Sequence, residues 1–153
     1  MKELVSLLQE RGLTISCCES LTGGLFASKL TEVSGVSSVF KGGLVTYWNE
    51  AKSRMAHVSE ETLQRYGAVS KETAVEMAVN TRQLFQSDLA VSFTGNAGPS
   101  VMEGKPAGLV YCALAYHEQV LDFCFQFQME RNQVREAVCL EMCKKIKDFL
   151  TEL

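Results

Sequence analysis

The sequence predicts an α/β protein, a three-layer α/β/α sandwich on a mixed sheet, folded as a single domain over residues 1–153. Three observations predict it. In the front half, short apolar and β-branched runs alternate with helical periodicities, the order that builds parallel strand–helix–strand units. Two strand-like runs near the end flank His117-Glu118-Gln119, the pattern of an antiparallel hairpin. A chain of 153 residues suffices for one core that buries about two-thirds of the unfolded surface, and no linker, repeat or low-complexity segment divides it.

Taken in order, residues 2–11 read as an amphipathic helix with Leu4, Val5 and Leu8 on one face and Gly12 as its stop. A buried strand follows over 13–18, then the turn Glu19-Ser20-Leu21-Thr22-Gly23-Gly24, then a helix over 22–31 carrying Leu25, Phe26 and Leu30. Val33–Ser38 is a loop of small residues. Val39–Tyr47 reads as a second strand, with Gly42 and Gly43 marking a bulge or a close backbone approach. Asn49 is placed to cap a short helix through Met55. Ser59 and Ser70, each with acidic residues in the following turn, open helices over 59–66 and 70–86. The longer one turns Ala74, Met77, Ala78, Thr81, Leu84 and Phe85 inward. Asp88–Thr94 is a strand that runs into a glycine-rich loop extending to Pro106. The hairpin spans 108–116 and 120–127, and a last helix over 130–152 buries Val134, Val138, Met142, Ile146 and Phe149.

The net charge of −3, with no dominant basic face, argues against a nucleic-acid partner. No apolar run is long enough to span a bilayer. Met1-Lys2-Glu3-Leu4 lacks the apolar core of a signal peptide, so a cytoplasmic protein with no membrane partner is expected. The six cysteines include no C-x-x-C pair and mostly stand among apolar neighbours, as buried free thiols do. Cys139 and Cys143 have the i, i+4 spacing of helical ligands, but the only histidines, His57 and His117, are far away in sequence. No metal and no cofactor are expected.

Three segments carry chemistry beyond packing: Glu19–Gly24, Lys41–Lys52 and Thr94–Pro106, each at a strand end or in the helix beyond it. Together they offer the hydroxyls of Ser20, Thr22, Thr46, Tyr47 and Thr94, the amines of Lys41, Lys52 and Lys105, and glycine backbone. Ser20 has two readings, a helix cap or a nucleophile beside free backbone amides. Both histidines sit where solvated ones are common, which disfavours a Ser-His-Asp triad. The remaining activator is a lysine, which acts as a base only when burial or a neighbouring cation depresses its pKa. Lys52, just past Tyr47, is placed either as that base or as an ordinary surface lysine.

Four motifs in register carry a resemblance. These are Glu19-Ser20-Leu21-Thr22-Gly23-Gly24, Gly43 through Lys52, Tyr66-Gly67-Ala68-Val69-Ser70, and Thr94–Pro99 with Lys105-Pro106-Ala107-Gly108. From about residue 3 to the end the chain resembles the C-terminal domain family of the competence/damage-inducible protein CinA, in its stand-alone form. The resemblance implies deamidation of nicotinamide mononucleotide (NMN) to nicotinate mononucleotide and ammonia, a pyridine nucleotide salvage step. It implies Ser20 as nucleophile, Lys52 as its base and Tyr47 as an orienting group. Thr22, Gly23, Gly24, Thr46, Thr94, Gly95, Gly98 and Arg131 are the implied substrate-binding positions, and a homo-oligomer is the implied assembly.

The chain departs from the family pattern at four places. Asn96 stands where an aliphatic residue is usual, and Ser100–Gly104 replaces a glycine-rich stretch. Trp48 replaces a small residue, and Gln128-Met129-Glu130 surrounds the place of a Gly-Asp pair. The altered 96–104 segment sustains a second reading, a pyridine-nucleotide-binding regulatory module without catalysis. A hydrolase for another small amide is a third.

Overall fold

The computed structural model describes all 153 residues. Five strands form one mixed sheet in the order β2-β1-β3-β4-β5: β1 (Ile15–Glu19), β2 (Phe40–Val45), β3 (Leu89–Gly95), β4 (Leu109–Tyr116) and β5 (Gln119–Gln126). β1 runs parallel to both β2 and β3, whereas β4 is antiparallel to β3 and forms a hairpin with β5. Helices α1 (Lys2–Arg11), α2 (Leu25–Thr31) and α6 (Arg131–Glu152) cover one face. Helices α3 (Asn49–Ala56), α4 (Glu60–Tyr66) and α5 (Lys71–Phe85) cover the other. The expected three-layer sandwich is the observed fold.

The two faces differ in side-chain size. Strand alternation sends Ile15, Cys17, Leu89, Val91, Phe93, Val110 and Leu114 to the α1/α2/α6 side, where they form the main core with Phe26, Val138, Met142 and Ile146. The opposite face presents Ser16, Ala90, Ser92, Thr94, Ala113 and Ala115. Small residues there meet Ala74 and Ala78 of α5, so this helix lies close on the sheet. The approach is close enough for Ser92 Oγ to donate to the Ala74 carbonyl at 2.6 Å and Thr94 Oγ1 to the Ala68 carbonyl at 2.7 Å.

The glycine pair in β2 does both things expected of it. The register with β1 slips between Ile15 and Ser16, leaving Lys41 as an extra residue. A Cβ on Gly43 would stand 2.5 Å from Cys17 Sγ and 3.0 Å from the Cys17 carbonyl.

Several local expectations are corrected. Helix α2 begins at Leu25 rather than 22, because Gly23 and Gly24 adopt φ of 57° and 96°, values outside the helical region. Asn49 is the first residue of α3 and not its cap; Trp48 holds that position without a side-chain bond. Leu84 is exposed, since ten residues beyond Ala74 a helix has turned it about 80° off the buried stripe. Phe85 is half-buried. In α6, Leu150 is buried while Phe149 is half-buried against Tyr116. Five cysteines are buried, but Cys124 is exposed because it points outward from the edge strand β5. Ser59 and Ser70 cap their helices as expected, accepting from the Thr62 and Thr73 amides. No helix is long and apolar enough to cross a membrane.

Candidate active site

The three parallel strands β1, β2 and β3 end at the same edge of the sheet, where open α/β sheets collect ligands. Just past β1, the Ser20 amide donates to the Phe93 carbonyl at 2.9 Å, and the Thr46 amide donates to the Glu19 carbonyl at 2.8 Å. These bonds carry the ladder one step beyond the strands and fix Ser20 beside Thr46. Alternation along β1 then separates Glu19 from Ser20. The Glu19 carboxylate goes to the α2 side, where it accepts from the amides of Phe26 (2.9 Å) and Ala27 (3.1 Å) and closes the open end of α2.

Ser20 faces α3, and Lys52 reaches it from there. Lys52 Nζ lies 2.9 Å from Ser20 Oγ, 2.8 Å from the Thr46 carbonyl oxygen and 3.2 Å from that of Tyr47. The residue is only 1% exposed, and no carboxylate forms an ion pair with it. Burial pushes its pKa down from 10.5 to about 8, against weaker opposing pulls from Cys18 and Glu103. An ammonium has three donors, and three acceptors surround this one. A neutral amine has two N–H groups and one lone pair. With both carbonyls taking its N–H groups, the lone pair faces Ser20 Oγ, the geometry of a general base beside a nucleophile.

Ser20 opens into a cavity of about 440 Å³. Tyr47, Trp48, Gly95, Asn96 and Arg131 contribute to its walls. Arg131, at the start of α6, donates to the Tyr47 hydroxyl and the Gly98 carbonyl, both at 2.9 Å. The segment after β3 is tied down on both sides. The Asn96 side chain bonds the Met102 carbonyl, the Met102 amide and the Lys105 carbonyl, each at 3.1 Å. The Glu103 carboxylate accepts from the amides of Ala68 and Val69, both at 2.9 Å, and Lys105 Nζ donates to the carbonyls of Tyr66 and Val69.

The sequence model of the CinA C-terminal domain matches residues 1–150, nearly the whole chain. The chain belongs to the CinA C-terminal domain family. A Bacillus cereus (strain AH187) relative, provisionally described as a competence-damage inducible protein, is 47% identical over 133 residues, 86% of this chain. This CinA domain spans about a third (32%) of that relative's length. A CinA superfamily protein of Klebsiella pneumoniae 700603 superposes with a TM-score of 0.97 at 28% identity, covering 99% of this chain and 96% of that one. The competence/damage inducible protein CihA of Agrobacterium tumefaciens gives 0.89 at 38% identity, covering 95% and 92%.

Within this CinA domain, Ser20, Tyr47, Gly95 and Arg131 border the 440 Å³ cavity, and Lys52 lies buried behind Ser20. Tyr47 meets Lys52 through its carbonyl, while its hydroxyl meets Arg131. Gly98 lines a neighbouring cavity of about 590 Å³ that shares Ala97 and Arg131 with the first. The other expected binding positions stand outside the cavity wall. Thr94 is turned toward Ala68, and Thr46 is buried with its hydroxyl against Cys18. Thr22, Gly23 and Gly24 form the turn into α2, and the Thr22 hydroxyl is buried without a partner.

Two supports escaped the sequence reading. Glu19 was legible only as a carboxylate beside Ser20. Arg135 donates to the carbonyls of Leu21 (3.0 Å) and Thr22 (2.9 Å), bracing the Ser20 turn from α6. Its signal was available, since it follows Arg131 by four residues and so shares its helix face. No group of three or more His, Cys, Asp or Glu side chains is arranged to hold a metal.

Proposed function

We propose that this chain is an amidohydrolase that deamidates NMN to nicotinate mononucleotide and ammonia through a Ser20–Lys52 pair. The observation that carries the reading is the 2.9 Å contact between Ser20, at the cavity surface, and a buried lysine without a counter-ion. Neutral Lys52 takes the Ser20 proton as Oγ bonds to the carboxamide carbon. Leu21 and Ala97 border the cavity, and their amides donate to no protein acceptor, which leaves them available to the developing oxyanion. Lys52 returns the proton to the nitrogen, the C–N bond breaks and ammonia departs. Water, deprotonated by Lys52, then attacks the ester on Ser20; nicotinate mononucleotide leaves and Oγ recovers its proton. Arg131 retains three of its five N–H donors for an anionic group such as the substrate phosphate.

The test is release of both ammonia and nicotinate mononucleotide from NMN. Ser20→Ala and Lys52→Met are each expected to lower the rate at least about a thousand-fold, with the melting transition still cooperative. Folded variants that turn over at the parent rate would reject the pair. The second reading, a regulatory module that binds pyridine nucleotides without turnover, draws on the tightly tethered 96–105 segment. It requires NMN to raise the melting temperature with no ammonia released. Release of ammonia from other small amides but not from NMN would move the substrate elsewhere.

A further inference from the structure

Trp48 is 73% exposed, more than any other large apolar side chain of the protein. Leaving so large a ring in water forgoes the stabilisation that its burial would bring. Its backbone is nevertheless fixed: the Trp48 carbonyl accepts from the Lys52 amide at 3.0 Å, and the Tyr47 carbonyl before it accepts from Lys52 Nζ. Trp48 borders the cavity that contains Ser20, and also a shallow groove with Val45, Ala51 and Met55. No aromatic or cationic side chain of the protein pairs with it.

In the groove the charges are paired, Arg54 lying 3.0 Å from Glu50, but on the cavity side they are one-sided. Arg131 is the only charged side chain bordering the cavity, with Lys52 behind Ser20 and no carboxylate on the wall. Such a wall accepts an anion readily and offers no ion-pair partner to a cation. Without a carboxylate on the wall, an aromatic face is the feature suited to a flat cation, and indole is the strongest of these.

We infer that Trp48 is a specificity-determining residue whose indole face stacks on the cationic pyridinium ring of the substrate. Resting on the deamidase reading, this assigns the site to molecules that join a pyridinium to an anion, the anion going to Arg131. It makes the protein discriminate NMN from its reduced dihydropyridine form, which keeps the carboxamide, ribose and phosphate but loses ring charge and aromaticity.

Calorimetric titration of the Ser20→Ala protein with each nucleotide tests this without consuming the ligand. NMN is expected to bind about ten-fold more tightly than the reduced form. Trp48→Leu should bring the ratio close to one, and Trp48→Phe should retain part of it. Trp48 is the only tryptophan, so NMN should also quench the indole emission. A ratio near one in the Ser20→Ala protein, or a ratio unchanged by Trp48→Leu, overturns the inference. So does Trp48→Leu lowering the molecular mass in light scattering while the ratio persists, which would assign the ring to a contact between copies. Ammonia release by the parent protein is measured separately. Its absence with the ratio intact would defeat the deamidase reading and leave the stacking role standing; no binding of either nucleotide would defeat both.

Discussion

Raising the pH from 7 to 9 should increase kcat/KM for NMN about ten-fold, then level off. Only neutral Lys52 can accept the Ser20 proton. With its pKa pushed down to about 8 by burial, the neutral fraction climbs from about one-tenth at pH 7 to about nine-tenths at pH 9. A lysine at the ordinary 10.5 would instead give about a hundred-fold rise over the same interval, still climbing at pH 10. Initial rates of ammonia release at low NMN, buffered at constant ionic strength, separate the two profiles. A flat profile, or one that does not bend before pH 10, would refute the reasoning.

The same shift has a thermodynamic face. The folded pKa lies below the unfolded one, so between about pH 8 and 10.5 the unfolded chain binds more protons and stability rises with pH. Below pH 8 the buried charge costs the fold about 3 kcal/mol, from the shift at 1.36 kcal/mol per pH unit. Urea unfolding of parent and Lys52→Met proteins, compared at pH 7 and pH 10, isolates this group. The difference between them should shrink or reverse in the parent's favour at the higher pH. A difference that ignores pH would mean that Lys52 is not held as described.

Two further perturbations test the scaffold. Glu19→Ala strips the Phe26 and Ala27 amides of their acceptors at the buried start of α2 and should cost about 2–4 kcal/mol in urea unfolding, with Glu19→Gln recovering part. Equal midpoints for parent and Glu19→Ala would show that the carboxylate does not close that helix. Gly43→Ala places a methyl 2.5 Å from Cys17 Sγ and should cost about 1–3 kcal/mol, partly relieved by adding Cys17→Ala. Unchanged stability of the single variant would show that β1 and β2 can separate there at no cost.

Periodicity made the layers legible. Leu4, Val5 and Leu8 in α1, the Ala74–Thr81 stripe in α5 and the hairpin around His117 all read correctly, because burial on one face leaves a repeat in the chain. Ends of elements read poorly. Thr22–Gly24 carries helix-capping residue types, yet positive φ at two glycines delays the helix to Leu25. The Ser20–Lys52 contact spans 32 residues and depends on register. Pairing of Glu19 with Val45 sets Ser20 beside Thr46, and the first turn of α3 brings Lys52 back over both. Local pattern carries no record of register, so elimination offered Lys52 only as one of two alternatives, and the family resemblance chose between them. Asn96, read as a departure from that family, proves to be the staple of its own loop.

That staple bears on how a ligand enters. With Asn96 holding residues 102 and 105, and Glu103 and Lys105 fastening the same stretch to Tyr66, Ala68 and Val69, the far wall of the cavity is held in place by the protein's own hydrogen bonds. Binding then requires little ordering of the chain, and the entropy lost is chiefly that of the ligand itself. Association should follow a single exponential whose rate grows linearly with ligand concentration, the kinetics of a vessel that needs no closing.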